Sequence, residues 1–130
     1  PEWRIPNPKC SLPVMIMHGM ADQDVPFEGG ASKRRGGQRT YGSVMDSVAF
    51  WVAHDQCHNE PTTRQIYDGR VDVTSWEDCS DHSAVSLYLI QGWGHDWPGR
   101  YFTGKLPESD PLSQFDAAEI IWDFFKAHGR

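Results

Sequence analysis

At 130 residues, with 38% hydrophobic and 23% charged residues, the chain has the composition of a single globular domain rather than a disordered segment. Its net charge of −6 argues against a general nucleic-acid binder, whose affinity rests on neutralising phosphates. No apolar run approaches the roughly 20 residues of a bilayer span, so no membrane partner is expected.

The chain opens PEWRIPNPKC, with neither an initiator Met nor an apolar leader, and reads as a processed or excised piece. Residues 1–11 are Pro-rich and irregular. Leu12 to Met17 is a short apolar run, which predicts a strand buried on both faces as in a parallel sheet. The run stops at His18-Gly19, and two acids, Asp22 and Asp24, follow. From Asp22 to Gly42 the chain is turn-rich. Its basic group Lys33, Arg34, Arg35 and Arg39 reads as a solvated loop, with an anion site as the alternative.

Ser43 to His54 predicts a helix, with Val44, Val48, Trp51 and Val52 at helical spacing and Ser43 with Asp46 as a capping-box-like start. Two strand-like runs, 65–67 and 71–74, flank Asp68-Gly69, a hairpin turn signal. Val85 to Ile90 is the next strand and runs out into Gln91-Gly92-Trp93-Gly94-His95. A Pro/Gly-rich loop spans 99–112. A closing helix is expected from about Gln114 to His128, with Ser113 and Asp116 at capping positions. Ala117, Ile120, Ile121, Phe124 and Phe125 form its expected apolar stripe. The order strand, loop, helix, hairpin, strand, loop, helix predicts an α/β layered arrangement.

Both parallel-type strands run into polar loops that carry Asp22 and His95. In open α/β sheets, reactive groups gather beyond the carboxyl ends of the strands. A carboxylate holding the Nδ1–H of a histidine leaves Nε2 free to take a proton from a nucleophile. Acid before histidine, after an upstream serine, is the chain order of α/β-hydrolases.

HGMADQDVPFEGG (18–30) resembles the HGxxDxxVPxxGG segment of the polyhydroxybutyrate depolymerase and feruloyl esterase group of α/β-hydrolases. GWGHDWPG (92–99) is similar to that group's GxGHxWPG segment, and DAAEIIWDFFKAH (116–128) to its closing helix. FWVAHDQC (50–57), with Cys79 downstream, resembles its paired-cysteine region. The resemblance covers nearly the whole chain in order. It implies the C-terminal portion of an α/β-hydrolase, its sheet with flanking helices plus a small hairpin, as one part of a single domain. It implies a serine esterase with Asp22 as triad acid and His95 as triad base, and no cofactor. Asp24 is the competing acid, with a structural role expected in bonding turn amides. Trp97 is expected to anchor its loop, and Trp93 either lines the substrate groove or belongs to the core. Cys57 and Cys79 are implied as a disulfide, hence an oxidising, secreted setting. Cys10 is left over, either unpaired within this chain or bonded to a cysteine outside it, such as one in the N-terminal half.

The departure from the family pattern is the nucleophile. None of the ten serines sits in a G-x-S-x-G frame; Gly30-Ala31-Ser32 begins one, but Arg34 stands where Gly is required. An oxyanion-hole segment is missing too. The expected partners are therefore the N-terminal half of the same hydrolase and an ester substrate on plant polysaccharide or a polyester. A truncated fragment or a degenerate polysaccharide-binding module is the alternative. Zinc on His54, Cys57 and His58 is a further alternative, weakened because no CxxC is present and the disulfide explains Cys57 better. The pair Asp22 and Asp24 begins a calcium-loop pattern that the following residues do not continue.

Overall fold

The computed structural model describes residues 8–34 and 36–129. Four strands form a mixed sheet in the order β1(Val14–Gly19), β6(Val85–Ile90), β5(Val71–Trp76), β4(Thr62–Ile66). β1 runs parallel to β6, whereas β6–β5 and β5–β4 are antiparallel. Helix α1(Val44–His54) and helix α3(Ala117–His128) cover the two faces. Mixed helix and strand content with flanking helices agrees with the expected α/β class.

The alternation along β6 sorts its side chains between two cores. Tyr88 and Ile90 join Val71 and Val73 of β5, and this face packs on Leu112, Phe115 and Ala117 at the start of α3. Val85 and Leu87 point the other way, onto Val44 and Val48 of α1. β6 is thus buried on both faces, as its unbroken apolar run requires.

β1 departs from the expectation. It begins at Val14 rather than Leu12, and Val14 to His18 are only half-buried. The reason is position: among the described residues β1 is hydrogen-bonded on one side only, to β6. The opposite edge, β4, carries Thr62, Thr63, Arg64 and Gln65, all exposed, the polar dressing of an edge that faces water. β1 offers Val-Met-Ile-Met with no such protection.

α1 starts as read, with the Ser43 hydroxyl accepting the Asp46 amide at 3.0 Å. The hairpin turns at Asp68-Gly69 as expected, but its strands are longer and Tyr67 leaves the first of them: Tyr67, Asp68 and Gly69 all take positive φ to turn the chain from β4 to β5. α3 starts later than Gln114. Asp110 caps a 3-10 turn over Pro111–Gln114, Phe115 then extends into the core, and Asp116 caps the helix through the Ala118 amide. Its apolar stripe is narrower than read: Ala117 and Phe124 are buried, but Phe125 is exposed. Three short elements lay hidden in loops. β2(Gly30–Ala31) and β3(Thr40–Tyr41) form a small antiparallel ladder, and α2(Arg100–Thr103) is a single turn.

Cys57 and Cys79 form a disulfide that joins the segment after α1 to the segment after β5. It lies at the amino-terminal end of β6, opposite to the end where Asp22 and His95 sit. Cys10 is a free, exposed thiol. No described helix is long and apolar enough to cross a membrane.

Candidate active site

β1 and β6 pair in register from Val14↔Val85 to Gly19↔Ile90, so two parallel strands end level with each other. The loops that follow therefore leave from one edge and meet. The Met20 amide donates to the Ile90 carbonyl at 2.9 Å, and the Ala21 amide to the Trp93 carbonyl at 2.8 Å. Gly19 makes the meeting possible: a Cβ there would lie 2.4 Å from the backbone oxygens of both Trp93 and Gly94. Gly92, at φ +70°, turns the second loop back across the strand end.

This crossing brings Asp22 and His95 together across 73 residues of sequence, with Asp22 Oδ2 to His95 Nδ1 at 2.9 Å. The other oxygen, Oδ1, accepts the amides of Asp24 (2.8 Å) and Val25 (2.9 Å). A carboxylate bonded this way is oriented by its own turn before histidine is considered. Burial alone would push the Asp22 carboxyl up. The Val25 amide, the His95 ring, the Asp24 amide and the His95 charge together outweigh burial and hold the pKa below its ordinary 3.8. With Asp22 ionised, Nδ1 of His95 is the donor and carries the proton. Nε2 then holds the lone pair, and it makes no hydrogen bond among the described residues. The Asp22 side chain is 6% exposed and that of His95 is 49% exposed, so the acid is sheltered and the base is open. Chemically, the pair can accept a proton at Nε2 and stabilise the resulting imidazolium.

The competing acid has a different place. The Asp24 carboxylate meets Arg34 at 3.3 Å, and only its backbone amide reaches the site, as a donor to Asp22. The turn amides that Asp24 was expected to bond are bonded by Asp22 instead. Trp93 packs against the core cluster that includes Ile90 and also lines a cavity of about 310 Å³ shared with Asp22 and His95. Its indole N–H donates to the Asp96 carbonyl at 2.7 Å, which fixes the loop around His95. Trp97 is not the anchor of that loop. It is 56% exposed at the cavity wall, and the buried pair Pro98 and Gly99 does the anchoring. Gly99 lies so close beneath the Trp97 ring that a Cβ would sit 2.7 Å from its Nε1.

The cavity holds one residue that sequence reasoning passed over. His18, at the end of β1, lines it, and both ring nitrogens are buried without a hydrogen-bond partner among the described residues. The only signal was its place in the HG pair that ends the strand. The other histidine cluster does not assemble a metal site. Cys57 is in the disulfide, while His54 donates towards Asp55 (2.8 Å) and the Pro8 carbonyl (3.0 Å). Among the described residues no group of three His, Cys, Asp or Glu is placed to hold a metal ion. Comparison of the chain with protein-family models, with curated proteins and with solved structures finds no match.

Proposed function

We propose that this chain is the C-terminal portion of a serine ester hydrolase of the polyhydroxybutyrate depolymerase and feruloyl esterase type. It contributes the histidine and the acid of a Ser-His-Asp triad. The observation that carries the reading is the Asp22–His95 bond: an ionised, amide-held carboxylate on Nδ1, with an unbonded Nε2 at a cavity beyond two parallel strand ends. The nucleophilic serine and the oxyanion donors belong to a part of the hydrolase other than these 130 residues.

In the assembled enzyme His95 Nε2 takes the serine proton as Oγ attacks the ester carbonyl. It returns that proton to the leaving alcohol when the tetrahedral intermediate collapses, and repeats the exchange with water. Asp22 stays ionised throughout and keeps His95 in the Nδ1–H tautomer. The unprotected apolar edge of β1 supports the same reading, because a further strand from the nucleophile-bearing half would cover it. The substrate class is an ester on plant polysaccharide or a polyester, in an oxidising extracellular setting that the disulfide favours.

The test has two arms. The purified 130-residue chain should not turn over a short p-nitrophenyl ester; turnover abolished by His95→Ala would place the nucleophile within this chain and refute the division of the triad. The coding sequence upstream of Pro1 should contain a strand, a G-x-S-x-G turn and a helix, and the joined protein should lose about 10⁴-fold in kcat on Asp22→Asn. An upstream region without that turn would favour the second reading, a non-catalytic polysaccharide-binding module, for which the lack of a G-x-S-x-G serine in this chain speaks.

A further inference from the structure

The charges of this chain are sorted. Residues 29–45 hold four of its 12 Lys and Arg and none of its 18 Asp and Glu. Eight basic residues are left against all 18 acids elsewhere. The basic group falls on the loop between β2 and β3, where Lys33, Arg34 and Arg39 are all exposed. The loop is held in shape by its backbone. Ser32 donates to the Arg39 carbonyl at 2.9 Å, Gly37 donates to Ser32 at 3.0 Å, and Gly36 and Gly37 take positive φ at the tip.

The loop is also fastened to the site. The Lys33 amide donates to the Gln23 carbonyl at 2.9 Å, and Arg34 meets Asp24 at 3.3 Å. Gln23 and Asp24 follow Asp22 directly, so the basic loop rides on the turn that carries the candidate acid. Arg34 has a counter-ion in Asp24, but Lys33 and Arg39 have none among the described residues. Like charges gathered on a loop cost free energy through mutual repulsion, and an anionic partner would relieve it.

We infer that the loop between β2 and β3 is a docking surface for an anionic polysaccharide, one bearing uronic-acid carboxylates, beside the candidate active site. Lys33 and Arg39, without counter-ions among the described residues and at either side of the backbone-braced Gly36-Gly37 tip, with Arg34 beside them, suit a repeating row of carboxylates better than a single small anion. A nucleic acid is the less fitting polyanion. Residues 32–39 include no aromatic ring for base stacking, and the Cys57–Cys79 disulfide belongs to oxidising surroundings where nucleic acid is not the usual partner. Trp97, exposed at the cavity wall and backed by Gly99, adds a flat apolar surface of the kind on which a sugar ring stacks. The choice of a polysaccharide rests on the ester-hydrolase reading; the charge argument stands without it.

Binding rather than turnover tests the inference, so its failure is separable from failure of the hydrolase reading. The 130-residue chain is titrated with polygalacturonate by calorimetry at about 50 and 200 mM salt. Two carboxylate contacts, on Lys33 and Arg39, predict affinity falling on the order of tenfold between those salts. The triple variant Lys33→Gln/Arg34→Gln/Arg39→Gln should lose binding by at least about tenfold. The control Arg64→Gln/Lys126→Gln, which removes two cations elsewhere, should keep it. If the triple variant does not fold, Lys33→Glu and Arg39→Glu, each an exposed loop position, supply the same comparison. Unchanged binding by the loop variants would overturn the inference. So would equal binding of a neutral arabinoxylan, or stronger binding of a single-stranded RNA than of polygalacturonate at equal salt.

Discussion

Gly19→Ala is the sharpest test of how the site is built. The new Cβ would stand 2.4 Å from the backbone oxygens of Trp93 and Gly94, about 1 Å short of ordinary contact. Neither obstacle is the flexible end of a side chain, so the relief must come from moving the 91–95 loop or the end of β1. The in-register β1–β6 ladder resists the second, and the loop is the part that gives. A displacement near 1 Å stretches the 2.9 Å Asp22–His95 bond past hydrogen-bonding distance. Overpacking against backbone costs about 1–3 kcal/mol. Loss of the pair adds up to about 1 kcal/mol, because His95 is half exposed and its partner's competitor is water. Urea denaturation should therefore show the variant destabilised by roughly 2–3 kcal/mol, and ¹⁵N NMR of the imidazole should show His95 losing its predominance of the Nδ1–H form. Gly94→Ala is the internal control: a Cβ at Gly94 meets nothing within 4 Å, so that variant should change stability and tautomer little. Equal behaviour of the two alanine variants would refute the claim that close approach at Gly19 sets the site.

Stability should peak in mildly acidic solution. Asp22, Asp72 and Asp110 have pKa values lowered from 3.8, so their contribution is present above about pH 4 and lost as pH falls through the lower folded values. His54 has a pKa raised from 6.5, chiefly by Asp55 and then by the Pro8 carbonyl; its contribution is present below that value and lost as pH rises through the folded one. Denaturation midpoints should thus fall on both sides of a window between about pH 4 and 6.5, and His54→Gln should flatten the upper limb alone. A midpoint rising monotonically to pH 8 would contradict this. Cys57→Ser/Cys79→Ser should cost about 3 kcal/mol in urea denaturation, given a loop of 22 residues, while leaving the Asp22–His95 NMR signature intact at the other end of β6. Asp22→Asn should shift His95 from the Nδ1–H to the Nε2–H tautomer with the loops in place; an unchanged imidazole spectrum would mean that the carboxylate does not set the tautomer.

Legibility from sequence followed locality. β6 was readable to the residue because one uninterrupted apolar run, Val85 to Ile90, is packed on both faces. The start of α1 was readable because Ser43 caps a helix three residues away. The start of α3 was not, because Asp110, Ser113 and Asp116 all offer capping side chains. What decides among them is Phe115, which is pulled into the core against Tyr67 and breaks the helix before Asp116. The apolar run of β1 predicts a doubly buried strand because apolarity reports what a strand is suited to, whereas its exposure depends on a neighbour that sequence periodicity does not name. Trp97 fails for a similar reason: the Trp-Pro-Gly turn is rigid, but rigidity does not say which of its three residues faces inward.

The pairing of Asp22 with His95 was readable for a different reason, since neither residue is local to the other. Each follows a strand of parallel type within five residues, and level strand ends leave little room for the two loops to avoid one another. Choosing Asp22 over Asp24 needed more. Both acids occupy one turn, but the first can fold back to accept the amides two and three residues on, and doing so aims its second oxygen across the gap. Asp24 cannot repeat that geometry and turns to Arg34. The site is therefore asymmetric. Asp22 is held by its own backbone and sheltered, and His95 is held by Asp22, with the Trp93–Asp96 bond bracing its loop. That division of labour suits a proton carrier: the fixed charge stays put, and the open imidazole nitrogen is left for whatever approaches the cavity.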